Sequence, residues 1–121
     1  MSAAILLQQV DQAFASQNNQ QGLQLLREYI ANNAKDTEQL YRLAVIEEQI
    51  GLAENAGNAY LACIENDKNF IKAYLYGGYF FQQCGQMEQA LALYSLGNDL
   101  DARLSLLHQS ESSSYETRLR S

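Results

Sequence analysis

The chain has 121 residues, 47% of them hydrophobic and 10% aromatic, a globular composition with the size of one domain around a single core. Its net charge of −6 comes without a basic stripe, which disfavours nucleic acid and anionic membranes as partners. No apolar run approaches the ~20 residues of a membrane span, and Cys63 and Cys84 read as reduced core thiols, not as a disulfide or a metal pair.

Ser2 can cap a first helix that carries Ile5, Leu6, Gln9, Val10, Ala13 and Phe14 and runs to about Ser16. No basic segment precedes its apolar AAILL run, so the run reads as a helix and not a secretion signal, and the expected compartment is the cytoplasm. SQNNQQ makes a polar turn, and a second helix is predicted over Gly22 to Ile30, before the ANNAKD break. Further helices follow at Thr37 to Ile50, with Asp36 or Thr37 at the start, at Ala53 to Glu65 after Gly51, and at Phe70 to Cys84. Gly85 then suits a left-handed helix end, and the next helix is predicted over Met87 to Leu96. With no proline in the chain, Asn66, Asp67, Asn69, Asn98 and Asp99 are the expected turn and cap formers.

Past that point Asp101 to His108 is amphipathic, with Leu104, Leu106 and Leu107 available to cover an exposed end. The serine-rich stretch Gln109 to Ser114 breaks the pattern, and 105–121 is expected to be a capping helix or tail. The end of the polypeptide fits a domain from a longer protein as well as a natural terminus.

A single period organises these helices. Stepping back thirty-four residues from Gly85, Ala90 and Tyr94 reaches Gly51, Ala56 and Tyr60, and then Gln17, Gly22 and Leu26. Tyr74, Leu40 and Leu6 form another column, and Gly97, Cys63 and Tyr29 a further one. The register holds three times without insertion, giving units at about 3–36, 37–70 and 71–104. Within each, small residues mark close helix approach: Gly78, Ala44 and Val10 in one column face Ala90, Ala56 and Gly22 in the other, with Tyr94 or Tyr60 filling the space above.

These positions resemble the tetratricopeptide repeat. The third unit supplies Tyr74, Gly77, Gly78, Phe81, Gly85, Ala90, Tyr94 and Gly97. The second supplies Leu40, Leu43, Ala44, Gly51, Ala56, Tyr60 and Cys63, and the first is degenerate, with Leu6, Val10, Ala13, Gly22 and Leu26. The resemblance implies an all-α superhelix, or solenoid, of three helix hairpins plus a C-terminal cap. Three departures stand out. The closing proline is replaced by Ala34, Lys68 and Ala102. Tyr29 occupies a small-residue column, which should splay the first unit or turn it outward. Glu47 replaces an aromatic, and must reach solvent or find a donor such as Arg42 or a tyrosine hydroxyl.

The same resemblance implies a concave groove lined by the first helix of each unit. By column it would hold Leu7, Asp11 and Phe14, then Tyr41, Val45, Glu48 and Gln49, then Lys72, Leu75, Tyr79 and Gln82. Phe14, Tyr41 and Tyr79 sit in columns not needed for internal packing and are expected to stay exposed as anchors, unless the tail folds back over them. The members that grip chaperone carboxylate tails use lysine and asparagine where this chain has Leu7 and Asp11, and Asp11 would repel a carboxylate.

Catalysis is not expected. The one histidine, His108, lies in the tail; there is no phosphate loop, no metal-spaced cluster, and no cofactor is implied. The expected function is a scaffold module that binds a protein or peptide partner in the groove. The alternatives are the non-catalytic arm of a larger enzyme, for example an aspartyl/asparaginyl hydroxylase-like oxygenase, or a self-association module forming a homo-oligomer. Counting acids against bases, 37–70 holds six and two, so the middle unit carries most of the charge and mildly favours a basic partner.

Overall fold

A computed structural model describes residues 2–120, with side chains described as far as Leu104. Among the described residues there are six helices and no strand: α1 (Ala3–Ala15), α2 (Asn19–Asn32), α3 (Thr37–Gln49), α4 (Ala53–Asn66), α5 (Ile71–Gln83) and α6 (Met87–Arg120). Helices α1, α3 and α5 begin at residues 3, 37 and 71, and α2, α4 and α6 at 19, 53 and 87, so both series advance by the thirty-four residues read from the sequence.

Local chemistry fixes most of these boundaries. Ser2 Oγ accepts the Ile5 amide at 3.2 Å, Asn18 Oδ1 the Gln21 amide at 3.3 Å, and Asp36 Oδ1 the Gln39 amide at 3.4 Å, which satisfies donors that a helix start leaves free. The Asn18 cap explains why α2 begins three residues ahead of the predicted Gly22. The turns inside the hairpins repeat one backbone device. The amides of Asn18, Leu52 and Gln86 donate to the carbonyls of Ala13, Glu47 and Phe81, while those of Gln17, Gly51 and Gly85 donate to Phe14, Glu48 and Gln82. This paired closure needs a left-handed residue. Gly51 (φ 85°) and Gly85 (φ 80°) supply it freely, whereas Gln17 adopts φ 61° with a side chain attached.

The expected break after Leu96 does not occur, because α6 continues as one helix to Arg120. Asn98 and Asp99 therefore lie inside a helix and form no turn. The chain has no proline, and Gly97 is its last glycine, so nothing beyond that residue carries a strong stop signal. The expectations for Leu106, Leu107 and His108 concern side chains outside the described residues.

The chain divides into two compact units, 1–73 and 74–121. In the first, α1 packs on α2, α3 on α4, and α2 against α3. Its buried core includes Leu6, Val10, Leu26, Leu43, Ala44, Ala56, Tyr60 and Cys63. Polar side chains join the two hairpins. Glu47 is only 3% exposed and pairs with Arg27 Nη2 of α2 at 2.8 Å; Arg42 is not its partner. Tyr29 is buried, and its hydroxyl donates at 2.6 Å to Asp36, the residue that caps α3. The large side chain in the small-residue column thus ties α2 to the start of the next hairpin. Asn66 Nδ2 also donates to the Ala34 carbonyl.

In the second unit Tyr94 lies against Gly78, where an added Cβ would fall 2.9 Å from the ring, and Gly97 approaches Tyr74 equally closely. Phe81, Leu93 and Leu100 are buried there, and Phe80 meets Phe81 edge-on at 5.3 Å. Cys63 is a buried thiol as expected; Cys84 is not, because it follows the last turn of α5 and is exposed.

Replacing Gln17 with glycine removes a left-handed strain of ~1–2 kcal/mol at an unfolded-chain entropy cost of ~0.5–1 kcal/mol, so Gln17→Gly should gain about 0.5–1 kcal/mol in urea unfolding. Arg27→Met strands the Glu47 carboxylate; since Arg27 is 43% exposed and water tempers the loss, about 2–3 kcal/mol should be lost. The double variant Arg27→Met with Glu47→Leu should recover most of it in the same measurement.

Candidate functional site

Helix α3 presents Glu38, Tyr41, Arg42, Val45, Ile46 and Gln49 at three- and four-residue spacing, which places them on one side of the helix. With Phe14 of α1 and Gln39 they line a cleft of about 490 Å³ within the first unit. Its walls combine aliphatic and aromatic surface with paired charges.

At one end, Phe14 is half-buried and rests against Gly22 of α2, where a Cβ would stand 2.7 Å from the ring. Only glycine leaves room for that ring position. The Arg42 guanidinium lies over the Phe14 ring, 5.2 Å from its centre. Arg42 also pairs with Asp11 at 2.7 Å and donates to Gln39 at 3.3 Å, so it is held from three sides.

At the other end, Tyr41 is half-buried, with its ring 5.5 Å from Phe70 and 6.2 Å, edge-on, from Tyr60. Lys72 lies over Tyr41 at 5.7 Å and stands 3.9 Å from Glu38. Glu48 accepts the Tyr60 hydroxyl at 2.7 Å. Burial, together with that carboxylate, raises the Tyr60 phenol well above its usual range. Burial likewise pushes the Cys63 thiol up to about 12, with Glu38 adding to the effect. The Asp36 carboxylate that accepts its hydrogen bond raises Tyr29 as well.

Of the residues expected to line a groove, Phe14, Tyr41, Val45 and Gln49 meet in this cleft, and Asp11 and Lys72 reach its charged side chains. Leu7 is half-buried on α1, and Glu48 is taken up by Tyr60. Leu75, Tyr79 and Gln82 belong to the second unit; all three are exposed on α5, and Gln82 accepts the Tyr94 hydroxyl at 2.9 Å. The expectation of freely exposed aromatics therefore describes Tyr79, which is 53% exposed, better than Phe14 or Tyr41, which contribute to packing. Sequence reading missed Glu38, Gln39, Arg42 and Ile46 as lining residues. Their signal was position, one helical step from the columns that were used.

No group of three or more histidine, cysteine or carboxylate side chains that could hold a metal occurs among the described residues. Nor is any helix among them long and apolar enough to cross a membrane.

The fold has close counterparts among solved structures. A crystal structure of MamA superposes with a TM-score of 0.78 at 21% identity, covering 86% of this chain and 61% of that one. MamA MSR-1 gives 0.74 at 20% identity, over 84% and 59% of the two chains. A double mutant of MamA RS-1 gives 0.75 at 14% identity, over 84% and 57%. The present chain thus spans about three fifths of the length of those proteins, and at such identities the likeness is one of fold: an all-α helical-repeat solenoid. No family model and no curated protein matches the sequence.

The buried thiol gives a pH signature. Above pH 9.0 the unfolded chain releases the Cys63 proton while the folded chain keeps it until about 12. Stability is therefore fully present below pH 9 and falls above it, by up to about 1.4 kcal/mol per pH unit. Tyr60 adds to the loss from pH 10 upward. Urea midpoints should be level from neutral pH to 9 and then drop, and Cys63→Ala should flatten the interval between pH 9 and 10.

Proposed function

We propose that this chain is a tetratricopeptide-like interaction module, with repeats at 3–36, 37–70 and 71–104, that binds a segment of a partner protein in the α1–α3 cleft and works in the cytoplasm. The observation that carries the reading is the cleft itself. Phe14, Tyr41, Val45 and Ile46 offer apolar and aromatic surface there, rimmed by Asp11, Glu38, Arg42 and Gln49. Burial of a partner's apolar side chain on that surface would supply affinity, and the charged rim would set its orientation.

Self-association is a second reading, drawn from a different surface. On α6, Met87 and Leu91 are exposed one helical turn apart, with Leu91 at 62%, and two copies could cover them mutually.

The leading reading is tested by selecting binders from a random displayed-peptide library and measuring them against variants. Val45→Asn replaces apolar surface in the cleft with an amide of no charge and should weaken selected peptides about fivefold, the equivalent of ~1 kcal/mol. Leu91→Ala on α6 should leave them unchanged. Peptides indifferent to Val45→Asn but lost with Leu91→Ala would transfer the role to the second surface.

A further inference from the structure

Resting on that reading of the cleft, we infer that its occupant is a basic amphipathic segment that sets a lysine or arginine on the face of Tyr41 beside Glu38. The chain already displays this arrangement twice with its own residues. Arg42 sits over Phe14 at 5.2 Å and pairs with Asp11 at 2.7 Å; Lys72 sits over Tyr41 at 5.7 Å and lies 3.9 Å from Glu38. Each is a cation between an aromatic face and a carboxylate, an arrangement that recognises ammonium or guanidinium groups in general.

The two copies differ in how firmly the cation is held. Arg42 has a third contact with Gln39, and its side chain is only 30% exposed. The Lys72 side chain is 53% exposed, and its ion pair is at the outer limit of contact. Exposed pairs of that kind are weak and their side chains mobile, so Lys72 can swing away and leave Tyr41 and Glu38 to an incoming cation. Lys72 is thus an internal competitor, and Val45, one turn along α3 from Tyr41, takes the apolar side of the segment together with Ile46.

Charge complementarity disfavours the opposite occupant. An acidic segment would meet Asp11 and Glu38, whose side chains are 64% and 66% exposed, while the Arg42 guanidinium is already held by Asp11 and Gln39. The net charge of −6 draws a basic segment in from a distance.

The test uses the full chain, isotope-labelled, titrated with two synthetic amphipathic peptides of the same pattern, one of leucine and lysine and one of leucine and glutamate. The lysine peptide should shift the amide resonances of Val45 and Ile46, with an affinity that falls as salt is raised. Glu38→Gln should weaken it roughly threefold and Lys72→Ala should tighten it by a similar factor. Lys35→Ala makes the same charge change at a residue that does not line the cleft and should have a smaller effect. The inference is overturned, with the cleft still a binding site, if the glutamate peptide takes the cleft instead. It is equally overturned if Lys72→Ala weakens the lysine peptide or does no more than Lys35→Ala. If neither peptide moves the cleft resonances, the binding role proposed for this cleft falls as well.

Discussion

Between the first two hairpins, one carboxylate decides how the helices meet. Glu47 points inward from α3 with almost no exposure, where an unpaired carboxylate is costly, and the Arg27 guanidinium of α2 answers it at 2.8 Å. Apolar packing holds each hairpin together; between hairpins the specific contacts are polar. Tyr29 reaches Asp36, Asn66 reaches the Ala34 carbonyl, and Asp11 reaches Arg42. Asp11 and Arg42 join α1 to α3 directly, with the Arg42 guanidinium over Phe14, so the width of the cleft depends on charges at its edge as well as on the Arg27–Glu47 pair behind it.

Much of the fold was legible in the primary sequence, because the features that set helix ends are local. Ser2 and Asp36 cap the helices they precede, and Gly51 and Gly85 close the turns they were expected to close. Small residues at fixed spacing pointed correctly to Gly78 lying beneath Tyr94. What escaped depends on distance along the chain. The partner of Glu47 lies twenty residues away on another helix, whereas the nearer candidate, Arg42, sits five residues back and points off in a different direction. Asn98 and Asp99 looked like turn formers by composition, yet two polar residues on the solvent side of a helix do not stop it without glycine or proline.

Only part of the cleft's lining was legible. Column arithmetic put Phe14, Tyr41 and Val45 on one surface, and they share it. It gave no view of the other side of each ring. Phe14 leans on Gly22 because that residue lacks a side chain, and Tyr41 is wedged against Phe70 and Tyr60, so both rings are rigid parts of the wall. Rings fixed in this way lose little freedom when something docks on them, which favours binding over adaptable packing.

The unequal environments of the two cysteines have a practical outcome. Cys63 is sealed in the first unit with its thiol held protonated, whereas Cys84 stands open to water at the tip of the α5–α6 hairpin. Thiol-directed dyes or spin labels at neutral pH will therefore mark one defined place on the native molecule, so a single-site spectroscopic reporter can be attached without mutagenesis.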